Sequence, residues 1–244
     1  MKIKMLFETW VKFLAEGIQD KSTLKVIFTA GSAGSGKTTI SSFLLDYDKD
    51  QAVNTMTQTG LKISNIDMPY TVLLKQIGVD PAKLGSLPKE EFNKINYGPE
   101  SVREKSRHLT SLALTSYKRQ RLGVLVDGTG RDRALITRMK EEFEALGYDC
   151  MMIFVGVDLD QALERNRKRK RTLPDGLIAS IWKDVNNNLY YYDSLFGDNF
   201  VHVKNNVMDM QNLKQAKRKV SSFLQSPVQN PIGQEWLDSQ RKMT

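Results

Sequence analysis

The stretch Gly31-Ser32-Ala33-Gly34-Ser35-Gly36-Lys37-Thr38 fits the pattern G-x-x-x-x-G-K-[ST], and its setting agrees with its spelling. Ahead of it, Leu24 to Ala30 is an apolar, β-branched run of buried-strand length. Behind it, Thr39 to Leu45 carries its apolar residues on one helical face. A strand, a glycine loop and a helix in that order make a phosphate cradle. Glycine lets backbone N–H groups turn inward where a β-carbon would block a phosphate, and the new helix adds its own free N–H groups and positive dipole end. Lys37 is of a length to reach β- and γ-phosphates, and the Thr38 hydroxyl is a ligand for Mg²⁺. Thr39, next in the same turn, joins the candidate nucleotide contacts. The stretch therefore points to a nucleoside triphosphate held with Mg²⁺.

Working outward, the second strand is expected over Leu61 to Ile66, with Asp67 at its tip, followed by a helix from Met68 to Gly78. Val79 to Pro99 holds three prolines and two glycines and reads as loop. Ser101 to Arg121 reads as a long helix, and Leu122 to Val126 as a short apolar strand closed by Asp127. A helix over Arg133 to Leu146 stops at Gly147, and Cys150 to Val157 is a further buried strand. A helix begins near Leu159 and runs into a basic stretch, Arg165 to Arg171. Leu177 to Leu189 is apolar-periodic, Phe200 to Val203 is the last strand, and Met208 to Leu224 the last helix. The tail from Ser226, with Pro227, Pro231 and Gly233, reads as irregular. Strands alternating with helices make an α/β fold with a doubly wound parallel sheet, in which ligands sit beyond the strands' carboxyl ends. Asp67, Asp127 and Asn205 all fall just past strand ends.

Composition fits this reading. The chain has 244 residues, 40% of them hydrophobic and 26% charged, the balance of an ordinary globular protein. Cys150, the single cysteine, excludes an internal disulfide framework, fits a reducing compartment, and reads as a small buried hydrophobe. The first 22 residues hold Leu6, Trp10, Phe13 and Leu14 at helical spacing, interrupted by Lys2, Lys4, Glu8, Lys12 and Glu16. That pattern is an amphipathic helix packed on the domain rather than a signal peptide, and no run is long enough to span a bilayer. A cytoplasmic protein without a membrane partner is expected. The net charge of +8 suits either nucleic acid or small polyanionic phosphates.

Asp127 closes a hydrophobic strand, the form of an acid that holds Mg²⁺ directly or through water, and it continues as Gly128-Thr129-Gly130-Arg131. For Asp67 two readings stand level on spacing alone: a base that accepts the proton of an attacking hydroxyl, and a turn or cap aspartate. Arg165 and Arg169 are four apart and share one helical face, so they can close over a transferring phosphoryl group. A solvated basic face and a nucleic-acid patch are the competing readings, the latter weakened because no aromatic residue is interleaved.

Gly31 to Thr38, Asn65-Ile66-Asp67, Val126-Asp127-Gly128-Thr129 and the arm from Arg165 to Pro174, in this order, resemble the zeta-toxin-like P-loop kinases, relatives of polynucleotide kinase and chloramphenicol phosphotransferase. The resemblance spans about residues 24–206 and implies a five-stranded parallel sheet in the order 2-3-1-4-5. It implies an arginine-rich lid over about residues 165–176 and transfer of the γ-phosphoryl group of ATP to a hydroxyl. Asp67 takes the family's general-base position, Arg165, Arg169 and Arg171 its lid arginines, and Thr129 and Arg131 its substrate contacts. Asn205 falls where related kinases hold the adenine, and a plain turn asparagine is the alternative.

The resemblance thus implies a kinase domain over residues 23–225, with a terminal tail over 226–244. The expected acceptor is a small-molecule hydroxyl, on a nucleotide or nucleotide sugar. The alternatives are a polynucleotide 5′-hydroxyl and an ATP-binding regulatory protein with little turnover. A protein partner such as an antitoxin is left open. The composition is similar to that of kinases of large tailed phages, which would make the compartment a host cytoplasm.

Overall fold

The computed structural model describes residues 22–48, 56–168, 174–207 and 209–242. The expected amphipathic helix before residue 22, and Arg169 and Arg171 of the lid, lie outside these described residues.

Five parallel strands form one sheet: β1 (Lys25–Ala30), β2 (Lys62–Ser64), β3 (Val124–Asp127), β4 (Asp149–Gly156) and β5 (Phe200–Lys204), in the spatial order β2-β3-β1-β4-β5. The continuous apolar run of β1 is explained by burial on both faces, as a central parallel strand requires. Val26, Phe28 and Ala30 belong to one core and Ile27 to the other. β4 divides the same way, Met152 and Phe154 to one side, Met151, Ile153 and Val155 to the other.

Helices cover both faces. The first core is closed by α5 (Arg133–Ala145), α7 (Asp175–Asn186) and α8 (Leu189–Phe196) through Ile136, Phe143, Val185, Tyr192 and Phe196. The second is closed by α1 (Lys37–Leu45) and α9 (Met210–Gln225) through Ile40, Leu44, Leu45, Leu213 and Val220. Truncating a fully buried ring such as Phe28 to alanine in such a core costs about 3–5 kcal/mol.

Between β2 and β3 the chain builds a small helical lobe from α2 (Asp67–Gln76), α3 (Lys89–Asn96) and α4 (Val102–Arg119), with its own core of Tyr70, Leu74, Leu84 and Ile95. This corrects the loop expected over Val79 to Pro99. Pro81 opens a 3-10 turn and Pro88 stands directly before α3, positions that need no N–H, while Glu90 and Glu91 suit the helix's positive end. The second strand is also shorter than expected.

The tail is ordered as well. Asn230 caps α10 (Pro231–Arg241) by accepting from the Ile232 amide at 3.0 Å, and Pro231 sits at the first helical position. Trp236 and Leu237 pack on the first core, and Gly233 lies so close to Gly147 that a β-carbon there would come within 2.2 Å of the Gly147 carbonyl oxygen. Buried Lys25, at the foot of β1, reaches Asp149 at 2.8 Å and Ser226 Oγ at 3.2 Å, tying sheet to tail.

Candidate active site

The parallel register decides who meets whom at the top of the sheet. Thr29 of β1 stands beside Asp127 of β3, and its hydroxyl donates to Asp127 Oδ1 at 2.8 Å. Lys37, the first residue of α1, forms an ion pair with the same carboxylate oxygen. Asn65, just past β2, donates its amide to Asp127 Oδ2 at 2.5 Å and accepts the Asp67 backbone N–H on its own oxygen at 2.6 Å. One side chain therefore positions both acids. Burial by itself would raise the Asp127 carboxyl. The Lys37 ammonium and the hydrogen bonds from Lys37, Thr29 and Asn65 outweigh it and hold the carboxyl below the usual carboxylate range.

The glycine loop is braced from three sides. The Gly31 N–H donates to the Thr129 carbonyl at 3.0 Å, joining the loop to the turn after β3. Gly34 and Gly36 take left-handed φ values of 83° and 79°. At Gly34 the loop passes against α6 (Leu159–Arg167), where a β-carbon would lie 2.4 Å from the Ala162 carbonyl oxygen. Asn205, buried after β5, donates its amide to the Ser35 carbonyl at 2.7 Å. Gly36 caps α1 with no side chain of its own, so the start of the helix faces the loop's concavity.

A cleft of about 710 Å³ opens at this end of the sheet. On one side its walls include Gly31, Ser32, Ala33, Gly36, Lys37 and Thr38. On the other they include Asn65, Asp67 and Arg103, and Asp127 and Thr129 also line the cleft. Asp67 is exposed at the start of α2, and the Thr38 hydroxyl makes no hydrogen bond among the described residues. Ser35, Thr39, Arg131, Arg165 and Asn205 are not part of that lining.

Arg165 of α6 donates to the Gly34 carbonyl at 3.5 Å and to the Asn206 carbonyl at 3.1 Å, so it stands against the loop. Arg131 is engaged elsewhere: its Nε and Nη2 meet Asp184 Oδ2 of α7 at 2.7 and 2.6 Å.

Thr29, Arg103 and Asp184 were not singled out by the sequence reading. Thr29 is one more residue of a strand, Asp184 one of two acids in a helix, and Arg103 one of several cations in a long helix. Among the described residues no group of three or more His, Cys, Asp or Glu side chains forms a metal cluster, and no helix is long and apolar enough to cross a membrane.

The fold is similar to that of a shikimate kinase from Bacteroides thetaiotaomicron, with 15% identity over 83% of this chain and 99% of that one and a TM-score of 0.44. A structure from the PezAT chromosomal toxin–antitoxin system of Streptococcus pneumoniae aligns at 14% identity over 91% and 96% of the two chains, TM-score 0.47. The tunicamycin resistance protein of Deinococcus radiodurans aligns at 15% identity over 81% and 94%, TM-score 0.45. No curated protein matches the chain. The family model of the AAA domain AAA_33 matches residues 26–187, from the first strand through α7 and so more than half of the chain, and the protein belongs to that family.

Proposed function

We propose that this protein is a kinase that transfers the γ-phosphoryl group of ATP to a hydroxyl of a small molecule, a nucleotide or nucleotide sugar. The observation that carries this reading is one cleft with a phosphate cradle, Lys37 and Thr38 on one wall and the Asp67 carboxylate on the other. Asn65 holds Asp67 in register with Asp127.

In this reading the loop amides and Lys37 grip the β- and γ-phosphates. Asp67 accepts the proton of the acceptor hydroxyl as that oxygen forms its bond to the γ-phosphorus. The bond from that phosphorus to the bridging oxygen breaks, and ADP leaves with the electron pair. Arg165, with Arg169 and Arg171, neutralises charge spreading over the transferred group. Thr129 meets the acceptor, Arg131 would join it on leaving Asp184, and Asn205 either holds the adenine end or braces the loop through Ser35. Thr38 and Asp127 would hold Mg²⁺. The donors suit a hard cation, since one is a hydroxyl free of protein partners among the described residues and the other a carboxylate kept ionised. When bound, the ion would supply charge neutralisation at the β- and γ-oxygens.

Transfer from γ-labelled ATP to a panel of nucleosides, nucleotides, nucleotide sugars and 5′-hydroxyl oligonucleotides tests the proposal. A labelled product that disappears with Lys37→Ala is expected. Asp67→Asn should abolish transfer while ATP affinity stays within about threefold. Label released only as free phosphate would overturn the reading as a kinase. Product made only on oligonucleotides would move the acceptor to polynucleotide ends.

A further inference from the structure

The reading of the cleft as a kinase site leaves one of its cations without a task. Among the described residues two cationic side chains line the cleft, Lys37 and Arg103. Lys37 is paired with Asp127. Arg103, half-buried in the first turn of α4, makes no hydrogen bond and no ion pair among the described residues; its one polar interaction there is with the face of Tyr70, 6.0 Å from the guanidinium carbon.

The acids nearest in sequence are committed to other cations: Glu100 pairs with Lys105 at 3.2 Å and Glu104 with Arg107 at 2.9 Å. A cation in the first turn also opposes the helix dipole, so the position is not one that helix stability selects. Tyr70 is fully buried and donates its hydroxyl to Asn96 Oδ1 at 2.7 Å, which makes its ring a fixed shelf under the guanidinium. The result is an oriented positive charge, uncompensated among the described residues, in the same cleft as Asp67. A guanidinium fork of this kind matches a carboxylate or phosphate through two parallel hydrogen bonds.

We infer that Arg103 is an anchor for an anionic group of the acceptor, so that the substrate is a hydroxyl compound that also carries a phosphate or a carboxylate. Held by that group on the α4 side, the acceptor presents its hydroxyl to Asp67. This rests on the kinase reading of the cleft, and it assigns recognition of the acceptor's anionic group to Arg103. Neutral sugars and nucleosides would be poor acceptors.

The test uses matched acceptor pairs: a nucleoside against its 5′-monophosphate, and a sugar against its 1-phosphate and against its uronic acid. Transfer and equilibrium binding are followed for the full-length wild type, Arg103→Gln and Arg103→Lys, with thermal unfolding as a check on folding. We expect wild type to favour an anionic member by about 10- to 100-fold in kcat/KM, the span of a charge-assisted hydrogen bond. Arg103→Gln should erase that preference through the acceptor KM, Arg103→Lys should keep part of it, and KM for ATP should stay within about twofold.

Equal use of charged and neutral members, or an unchanged ratio in a folded Arg103→Gln, would overturn the inference. So would a rise confined to KM for ATP, which would make Arg103 a nucleotide contact. If no compound accepts phosphate, the kinase reading falls on its own. Binding of the same pairs then decides the matter: loss of anion-dependent binding in Arg103→Gln sustains the anchor, and indifferent binding removes it.

Discussion

Asn65 donates its side-chain amide to the Asp127 carboxylate at 2.5 Å while its oxygen takes the Asp67 backbone N–H at 2.6 Å. Only one orientation of the amide satisfies both neighbours, because a carboxylate accepts and a backbone N–H donates. Asn65→Ala removes a donor from Asp127 and the bond that fixes the start of α2. Such an outer link to a reacting group costs about 10- to 100-fold in rate. Transfer should fall by that factor, with ATP affinity held within a few-fold. Full transfer activity in a folded Asn65→Ala would show that the Asn65 bridge does not position Asp67 for catalysis.

The ion pair of Lys37 with Asp127 makes stability depend on acid in a defined direction. The Asp127 carboxyl is depressed in the folded protein, so the folded state holds the proton less tightly than the unfolded chain does. Its contribution is fully present above about pH 4, the ordinary range of the unfolded carboxyl, and is lost as pH falls below that toward the depressed value. Asp127→Asn should therefore cost on the order of 3 kcal/mol at neutral pH, leaving Lys37 without its partner. The gap from wild type should narrow below about pH 4. Urea unfolding at three pH values measures it, and a gap that widens in acid would contradict the assignment.

What could be read in the sequence was what local chemistry enforces. The run from Leu24 to Ala30 is apolar because β1 is buried on both faces, and the loop glycines stand where positive φ and close packing require them. Asp127 announced itself by ending an apolar strand. Thr29 did not, because its role comes from the register of β1 against β3, which no single segment contains. Arg103 was hidden for a similar reason: it earns notice only when α4 folds back beside Asp67. Three helices were missed: α3 and α10 begin at or next to a proline, where the residue that usually breaks a helix instead starts one, and α8 follows α7 after only two residues, so its Leu189–Phe196 run carries no separate start signal.

Asn205 offers a choice between two roles that nucleotide selectivity can separate. Its amide donates to the Ser35 carbonyl at 2.7 Å in a buried setting. Asn205→Ala leaves that carbonyl without the amide's hydrogen bond, a loss of about 1–3 kcal/mol, and loosens the loop that holds phosphates. If bracing is what Asn205 contributes, affinities for ATP and GTP should fall by the same factor, together with a lower unfolding midpoint. If it holds adenine, the ratio of the two affinities should change. Calorimetric titration of both nucleotides into the variant reads the difference directly.

Gly34 is the sharpest test of how the loop is packed. Its φ of 83° is strained for any residue with a β-carbon, and such a carbon would meet the Ala162 backbone oxygen at 2.4 Å. Backbone on one side and loop on the other leave nothing flexible to yield. Gly128, on the cleft wall, has neither constraint: a β-carbon there meets nothing within 4 Å, and its φ is not in the left-handed region. Gly34→Ala should cost about 2–3 kcal/mol from strain and displaced contacts, which at this chain size lowers Tm by about 4–12 °C. ATP affinity should fall more than about tenfold as α6 is pushed off the loop and Arg165 with it. Gly128→Ala should leave Tm within about 1–2 °C of wild type. Equal unfolding midpoints for the two variants would mean that the loop is not seated against Ala162.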